Sequence, residues 1–356
     1  MAVINLRAFT ALVVDQDDAH RWMIHNLLKA LGVGEVLTSS SNEDALGLLK
    51  RLSRKSVTER IDTVDFLIGD LKEEPLDGIS MVRWIRMHGD SPNRFLPAIL
   101  MATAFEPEVL AEARGYGATH FLLKPVTVET LMDRILTIIN RPRPFVYNRA
   151  YFGPDRRGSQ KDVSDDRRET DVSDVHVVRS PLSTALERFP SDNLIRIFRP
   201  PNHLKRKAGG GDESDALFTE GAVFKAEKEM EKAKSEYTTS AMDYVESLQR
   251  ILGEAAAVSD KAEHFQRIHA LARQLGMQGE IFGYPLISMV GNSLMRFTAS
   301  GLPNTSASLE LVKVHIDSLT VILRNDISGD GGDTGRELVS QLQAAIKKIT
   351  LAKAAG

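Results

Sequence analysis

The stretch Asp65-Phe66-Leu67-Ile68-Gly69-Asp70 decides how the first part of this chain folds. Its apolar run has the length of a buried strand, and the run stops on a carboxylate. A strand that ends in this way presents Asp70 at its C-terminal end. We therefore predict that Asp70 lies at one edge of a sheet and carries the chemistry of the domain.

Three other apolar runs also end on polar side chains. The residues that follow these runs are Asp15, Thr103 and Lys124. In an open parallel sheet, groups just beyond the strand C-termini converge in one crevice. Two acids, a hydroxyl and an ammonium in such a crevice suit a divalent cation together with a phosphoryl group.

Strand-like and helix-like segments alternate through the first 140 residues, which is typical of a parallel α/β sheet. The predicted strands are Phe9–Val14, Glu35–Thr38, Val64–Gly69, Ala98–Ala102 and Thr119–Leu123. The predicted helices are Ala19–Leu31, Asn42–Leu52, Gly78–His88, Pro107–Gly115 and Val128–Ile139. In the first helix, the residues expected to pack on the sheet are Trp22, Ile24, Leu27, Leu28 and Leu31.

This set of segments and polar groups resembles the receiver domain of bacterial response regulators, over about residues 9–140. The resemblance implies a domain at residues 1–140 with an α/β doubly wound, flavodoxin-like fold and a five-stranded parallel sheet. It also implies that Asp70 is the phosphoacceptor for a histidine kinase or a phosphotransfer protein. Thr103 and Lys124 would contact the phosphoryl group.

The resemblance further implies a Mg²⁺ site and a switch. The metal would be held by Asp15, Asp70 and the backbone carbonyl of Lys72. Phe121 stands where the family has an aromatic switch residue, which would become buried once the phosphoryl group draws Thr103 inward. The other interpretation of Phe121 is a core phenylalanine.

Two departures from the family pattern affect the metal and the phosphoryl group. Gln16 stands where the family has a second acid, and a neutral amide is a weaker ligand for a hard cation. Pro75 comes five residues after Asp70, where the family has its proline four residues after the acceptor. Glu73 or Glu74 would either replace the missing acid or repel a phosphoryl group. A degenerate receiver that keeps the fold without being phosphorylated therefore stays open.

Residues 141–217 are rich in charge, Gly, Ser and Pro, and we predict a largely disordered linker. The segment Arg141–Arg157 allows two interpretations, a docking peptide with Tyr151-Phe152 as its aromatic anchor or a solvated linker, and the second is favoured. The basic residues Lys205–Lys207 are interpreted as a solvated turn and not as a nucleic-acid contact.

Residues 218–356 carry apolar stripes at helical spacing, which predict an all-α helical bundle. The stretch Ile268–Gly279, followed by Phe282-Gly283-Tyr284-Pro285, resembles histidine phosphotransfer (HPt) domains. In that alignment Arg273 occupies the position of the phosphorylatable histidine, and a guanidinium cannot carry a phosphoryl group as imidazole does. Arg273 would instead pair with a carboxylate on a partner receiver. His269, one turn earlier, is an alternative acceptor, and its commoner interpretation is a packing histidine.

Length and composition bound the remaining possibilities. A chain of 356 residues has room for two domains and a linker. Its net charge of -3 gives no reason to expect nucleic acid or a membrane as partner. The absence of cysteine fits a reducing cytoplasm, and the apolar runs are too short to span a bilayer.

These observations favour a response regulator of two-component signal transduction, which is not an enzyme. Its receiver would take a phosphoryl group, and its C-terminal pseudo-HPt bundle would bind another signalling protein. The alternative is a phosphorylation-independent adaptor built from the same two modules. A third hypothesis, a working phosphotransfer enzyme, requires His269 to act.

Overall fold

The structure is a computed structural model. It describes residues 2–54, 64–71, 76–104, 106–148, 151–156, 170–173, 195–210, 215–299 and 305–354. The chain divides into two compact units, residues 1–230 and residues 231–356. Within the described ranges, no helix is long and apolar enough to cross a membrane.

The first unit contains the parallel α/β sheet that the sequence predicts. Its elements in chain order are β1 (Ala2–Val3), β2 (Thr10–Val14), α1 (Asp18–Ala30), β3 (Glu35–Ser39), α2 (Asn42–Arg54), β4 (Phe66–Asp70), α3 (Gly78–Met87), β5 (Ala98–Ala102), α4 (Pro107–Gly115), β6 (His120–Leu123) and α5 (Val128–Asn140). Five strands pair in parallel in the order β3-β2-β4-β5-β6. This order is the doubly wound, flavodoxin-like arrangement. The fold prediction is confirmed, and every predicted boundary lies within two residues of the observed one.

Local chemistry explains where the elements begin. All residues of β2 and β5 are buried, as expected for apolar runs in the middle of a parallel sheet. Helices α1 and α3 begin after Asp17 and Asp77, whose carboxylates accept backbone N–H groups of the first turn. Thr127 and Thr130 form a capping box at the start of α5.

The prediction that Trp22 packs on the sheet is wrong. Its side chain is 42% exposed, whereas His20 and Met23 are buried. The apolar stripe of α1 therefore runs through His20, Met23, Ile24, Leu27 and Leu28. The polar residue His20 lies on the buried face of α1, so counting apolar positions alone assigns that face incorrectly.

The prediction of a disordered linker is wrong for the described residues of 141–217. They form β7 (Phe145–Asn148), β8 (Tyr151–Pro154), β9 (Thr170–Ser173), β10 (Ile195–Phe198), α6 (His203–Lys207) and β11 (Ala216–Leu217). Strands β7 to β10 make a second sheet in the order β8-β7-β10-β9. The prediction for residues 149–150, 157–169, 174–194 and 211–214 lies outside the described residues.

An aromatic cluster joins this second sheet to the receiver-like sheet. Phe95, in the loop before β5, packs against the rings of Phe145 and Phe152, and Tyr147 and Phe198 of the second sheet complete the cluster. The favoured solvated interpretation of Arg141–Arg157 is therefore wrong at its aromatic residues, since Phe152 is 2% exposed and Phe145 is 5% exposed. The aromatic ring of Phe152 packs against Phe95 of the same unit.

Polar contacts fix the rest of this segment. Both carboxylate oxygens of Asp65 accept hydrogen bonds from Nζ of Lys207, at 2.8 and 2.7 Å. The side chain of Asn140 exchanges two hydrogen bonds with the backbone of Ala216, each 2.9 Å long. Strand β11 pairs in parallel with β1. The basic run Lys205–Lys207 is thus part of the folded unit.

The described part of the second unit is helical. It holds most of α7 (Glu220–Ala256), then α8 (Ala262–Gln278), α9 (Pro285–Thr298), α10 (Ser306–Arg324) and α11 (Gly332–Ala354). Helix α9 packs against α8 and α10, and α11 packs against α10. Helices α8 and α9 approach closely, because a Cβ atom on Gly291 would lie 2.6 Å from the backbone nitrogen of Gly276.

Candidate functional site

Three of the predicted site residues meet at the C-terminal ends of the parallel strands. Asp15 follows β2, Asp70 ends β4 and Lys124 follows β6. The ammonium of Lys124 donates to Oδ2 of Asp15 at 2.9 Å and to Oδ2 of Asp70 at 2.7 Å. The sheet order makes this meeting possible, because β4 lies beside β2 and the parallel strands all end at the same edge of the sheet.

The charges of this site are set by burial and by pairing. Burial alone would raise the pKa of Asp15, but the hydrogen bond from His20 and the charge of Lys124 outweigh it and lower that pKa below its usual range. Burial alone would lower the pKa of Lys124, but Asp15 and Asp70 outweigh it and raise that pKa. The Asp15 carboxylate and the Lys124 ammonium are therefore both charged at neutral pH. The side chain of Asp70 is 22% exposed and is the accessible acid of the pair.

His20 is a site residue that the sequence analysis missed. It is fully buried, and its Nδ1–H donates to Oδ2 of Asp15 at 2.6 Å. The other ring nitrogen, Nε2, is buried and has no hydrogen-bond partner in the described part of the chain. The signal that could have identified it is a histidine on the apolar stripe of α1, five residues after the acid.

Thr103 and Phe121 lie at the same end of the sheet in different environments. Thr103 is exposed directly after β5, and the carbonyl of the preceding Ala102 accepts the backbone N–H of Lys124 at 2.8 Å. Phe121 is 9% exposed and belongs to the core, with the guanidinium of Arg114 5.5 Å from the centre of its ring. The ring of the predicted switch residue is thus buried in this structure.

The described residues do not provide a good set of Mg²⁺ ligands. Oδ2 of Asp15 accepts from both His20 and Lys124, and its Oδ1 accepts the backbone N–H of Asp17 at 2.9 Å. A carboxylate offers about four acceptor sites, so at most one remains on a group that is 1% exposed. Gln16 is exposed and brings no charge, and Lys72 lies outside the described residues. The described part of the chain holds no group of three or more acids or histidines suited to a metal.

The two predicted residues of the HPt-like face differ in their surroundings. Arg273 is exposed on α8, close in sequence to Met277, whose side chain is 43% exposed. His269 is half-buried, and its Nδ1 lies 3.0 Å from the carbonyl oxygen of Met295 on α9. This contact explains His269 as a residue that joins two helices.

The Phe282–Pro285 motif forms the connection between α8 and α9. Gly283 has a φ of +86°, which a side chain would strain. Phe282 stacks on Tyr237 with ring centres 4.7 Å apart, and the hydroxyl of Tyr284 donates to Asp326. Burial and the hydrogen bond to Asp326 raise the pKa of Tyr284 to about 12. The motif therefore has a structural role in the second unit.

Comparison with known proteins finds similarity in the first unit. The family model of the response regulator receiver domain matches residues 11–136. The sensory/regulatory protein RpfC of Xanthomonas campestris pv. campestris is 26% identical over 131 residues, which are 37% of this chain and 16% of RpfC. The chemotaxis protein CheY-3 of Vibrio cholerae is 26% identical over 140 residues, which are 39% of this chain and 98% of CheY-3.

Solved structures give matches over the same share of the chain. The structure of Vibrio cholerae chemotaxis protein CheY4 is 28% identical and covers 36% of this chain and 95% of its own, with a TM-score of 0.31. A response regulator receiver domain protein from Clostridium thermocellum is 28% identical and covers 37% of this chain and 95% of its own, with a TM-score of 0.32. Sequence match, sheet order and the grouping of Asp15, Asp70 and Lys124 agree: the N-terminal domain of this protein is a response regulator receiver domain.

Proposed function

We propose that this protein is a response regulator in which Asp70 accepts a phosphoryl group from a histidine kinase or a phosphotransfer protein. The family match supports two-component signalling by phosphorylation of an aspartate. The observation that carries the assignment to Asp70 is its position at the end of β4, partly exposed and 2.7 Å from the ammonium of Lys124.

The chemistry follows from the contacts of these two residues. A carboxylate oxygen of Asp70 attacks the phosphorus of a phosphohistidine in line with the leaving imidazole nitrogen. The P–N bond breaks, an aspartyl phosphate forms, and the imidazole leaves with its electron pair and takes a proton from solvent. Lys124 offsets the negative charge that Asp70 gains, and the exposed hydroxyl of Thr103 donates to a phosphoryl oxygen.

The proposed output is the second unit, acting as a pseudo-HPt module that binds another signalling protein. Arg273 is exposed where the HPt pattern has its histidine, so this face presents a guanidinium suited to a carboxylate. The contact of His269 with Met295 supports a structural role for that histidine, in place of phosphotransfer.

The experiment that tests this proposal is incubation of the full chain with acetyl phosphate and Mg²⁺, read by intact mass. The expected result is one phosphoryl adduct that is absent from Asp70→Asn and retained in His269→Gln. Loss of the adduct in His269→Gln would reassign the acceptor to the second unit.

The second candidate function is the phosphorylation-independent adaptor. The observation that favours it is the occupation of Asp15 by three protein donors next to the neutral Gln16. Absence of an adduct, together with absence of beryllofluoride binding, would favour this function. Both candidates use the exposed face around Arg273 as the docking surface.

A further inference from the structure

The first turn of α1 holds Asp15 from several directions. The backbone N–H of Asp17 donates to Oδ1 of Asp15 at 2.9 Å, and the side chain of Asp17 in turn accepts the backbone N–H of His20 at 2.7 Å. The guanidinium of Arg21 donates to the backbone carbonyl of Asp15. His20 completes the set through its ring, at 2.6 Å from Oδ2. Backbone and side chain of Asp15 are therefore both fixed.

His20 is costly as a simple core residue. Its side chain has no exposure, and Nε2 is buried without a partner in the described part of the chain. An unsatisfied buried nitrogen disfavours folding, and an apolar side chain of similar size would avoid this cost. The gain that offsets it is the hydrogen bond from Nδ1 to a charged carboxylate, which is stronger than a bond between neutral groups.

We infer that His20 is a positioning residue that holds the Asp15 carboxylate in its ion pair with Lys124. The crevice then binds divalent cations weakly, and Lys124 provides the positive charge beside Asp70. Two N–H donors on Oδ2 occupy the acceptor sites that a cation would otherwise use. Gln16 adds no charge in compensation. This inference concerns the unphosphorylated crevice and goes beyond the proposed function.

The geometry makes a specific claim about one hydrogen bond. If the His20 ring is replaced by methionine, Oδ2 of Asp15 keeps Lys124 alone and gains an acceptor site. Asparagine at the same position keeps a donor, because its amide nitrogen is separated from Cβ by the same number of bonds as Nδ1. The pair His20→Met and His20→Asn therefore separates loss of the hydrogen bond from loss of the ring.

The experiment is a titration of the full, unphosphorylated chain with Mn²⁺, which prefers oxygen ligands as Mg²⁺ does, and free Mn²⁺ is measured by electron paramagnetic resonance. Wild type and His20→Asn are expected to bind weakly and equally. His20→Met is expected to bind about tenfold more tightly, the effect of one competing hydrogen bond to a charged group. Gln16→Asp is expected to tighten binding as well, and Asp70→Asn to weaken it in every background.

Equal binding by His20→Met and wild type would overturn the inference. So would tight binding by wild type that Asp15→Asn abolishes. A measurement on wild type alone guards against misfolding of the variants: the Nδ1–H resonance of His20 is expected to stay unshifted when Mg²⁺ is added, and a shift at low Mg²⁺ would contradict the inference. Because the readout is cation binding, failure here is distinct from failure to phosphorylate Asp70.

Discussion

The guanidinium of Arg86 lies 5.3 Å from the centre of the Phe145 ring, and Arg86 has no exposure to solvent. Arg86 belongs to α3 of the receiver domain, and Phe145 begins the second sheet. The same guanidinium donates to the carbonyl of Gly117 at 3.1 Å and to that of Arg94 at 2.8 Å. This buried cation thus joins the receiver domain to the segment that follows it.

Arg86→Met is expected to destabilise the first unit by about 3 kcal/mol, because it leaves two buried carbonyls without their donor. Urea unfolding followed by tryptophan fluorescence measures this, since Trp22 and Trp84 both lie in the first unit. Arg83→Met is the control, because Arg83 is exposed on the same helix and its loss should cost less than about 0.5 kcal/mol. Equal effects of the two variants would contradict the role given to Arg86.

Lys207→Met is expected to destabilise the first unit by about 2 kcal/mol, because it removes the ammonium that pairs with the carboxylate of Asp65, which is 8% exposed. The estimate is below the range for fully buried pairs because the side chain of Lys207 is 29% exposed. Arg206→Met, at the exposed neighbouring position, is the control. Unchanged stability in the Lys207→Met variant would mean that residues 203–207 are not docked on the receiver domain.

The stability of the first unit is expected to fall as the pH is lowered from about 6.5 to 4. Burial, followed by the charges of Arg143 and Arg134, lowers the pKa of His120 to about 4, with Asp133 acting in the opposite direction. Between these pH values the unfolded chain binds a proton at this histidine and the folded chain does not, so acidification favours unfolding by at most about 1.4 kcal/mol per pH unit. The measurement is Tm against pH for wild type and His120→Gln. The variant should show a shallower fall, and the same substitution at exposed His88 is the control.

Gly291→Ala is expected to destabilise the second unit by about 2 kcal/mol, because the new methyl group would meet the backbone of α8 at Gly276. Gly253→Ala is the matched control, since its Cβ would have nothing within 4 Å. Gly253 lies in helix α7, so this second substitution should stabilise by about 0.5–1 kcal/mol. Helical circular dichroism during urea unfolding measures both. Unchanged stability in the Gly291→Ala variant would show that α8 and α9 do not pack this closely.

The receiver fold and the grouping of three residues of its candidate site could be predicted because their signals are local. An apolar run that ends on a polar side chain identifies both the strand and the residue presented at its end, which is how Asp15, Asp70 and Lys124 were found together. His20 was missed because its function depends on a contact with a residue on another element. A histidine among the apolar positions of a helix has two explanations in the sequence. It is buried and pairs with a residue of another element, or the buried face of the helix has been assigned incorrectly.

The second sheet could not be predicted for a different reason. Its strands are four residues long, and β10 pairs with β7 across almost fifty residues of intervening chain. Segments this short carry too little alternation to outweigh the charge, glycine and proline around them. The aromatic residues Phe145, Tyr147 and Phe152 were the available signal, and their value becomes clear only beside Phe95.

The hydrogen bonds between Asn140 and Ala216 show that the folded unit extends well beyond the residues that the receiver family model matches. The family match ends at residue 136, but Asn140, Phe95 and Asp65 all find partners between residues 145 and 216. A chain cut after residue 140 would keep Asp15, Asp70 and Lys124, but it would lose Lys207 as a partner of Asp65 and expose the aromatic surface around Phe95. We expect such a fragment to aggregate or to unfold in steps. We therefore expect the span that unfolds cooperatively to extend beyond the residues that the family model matches.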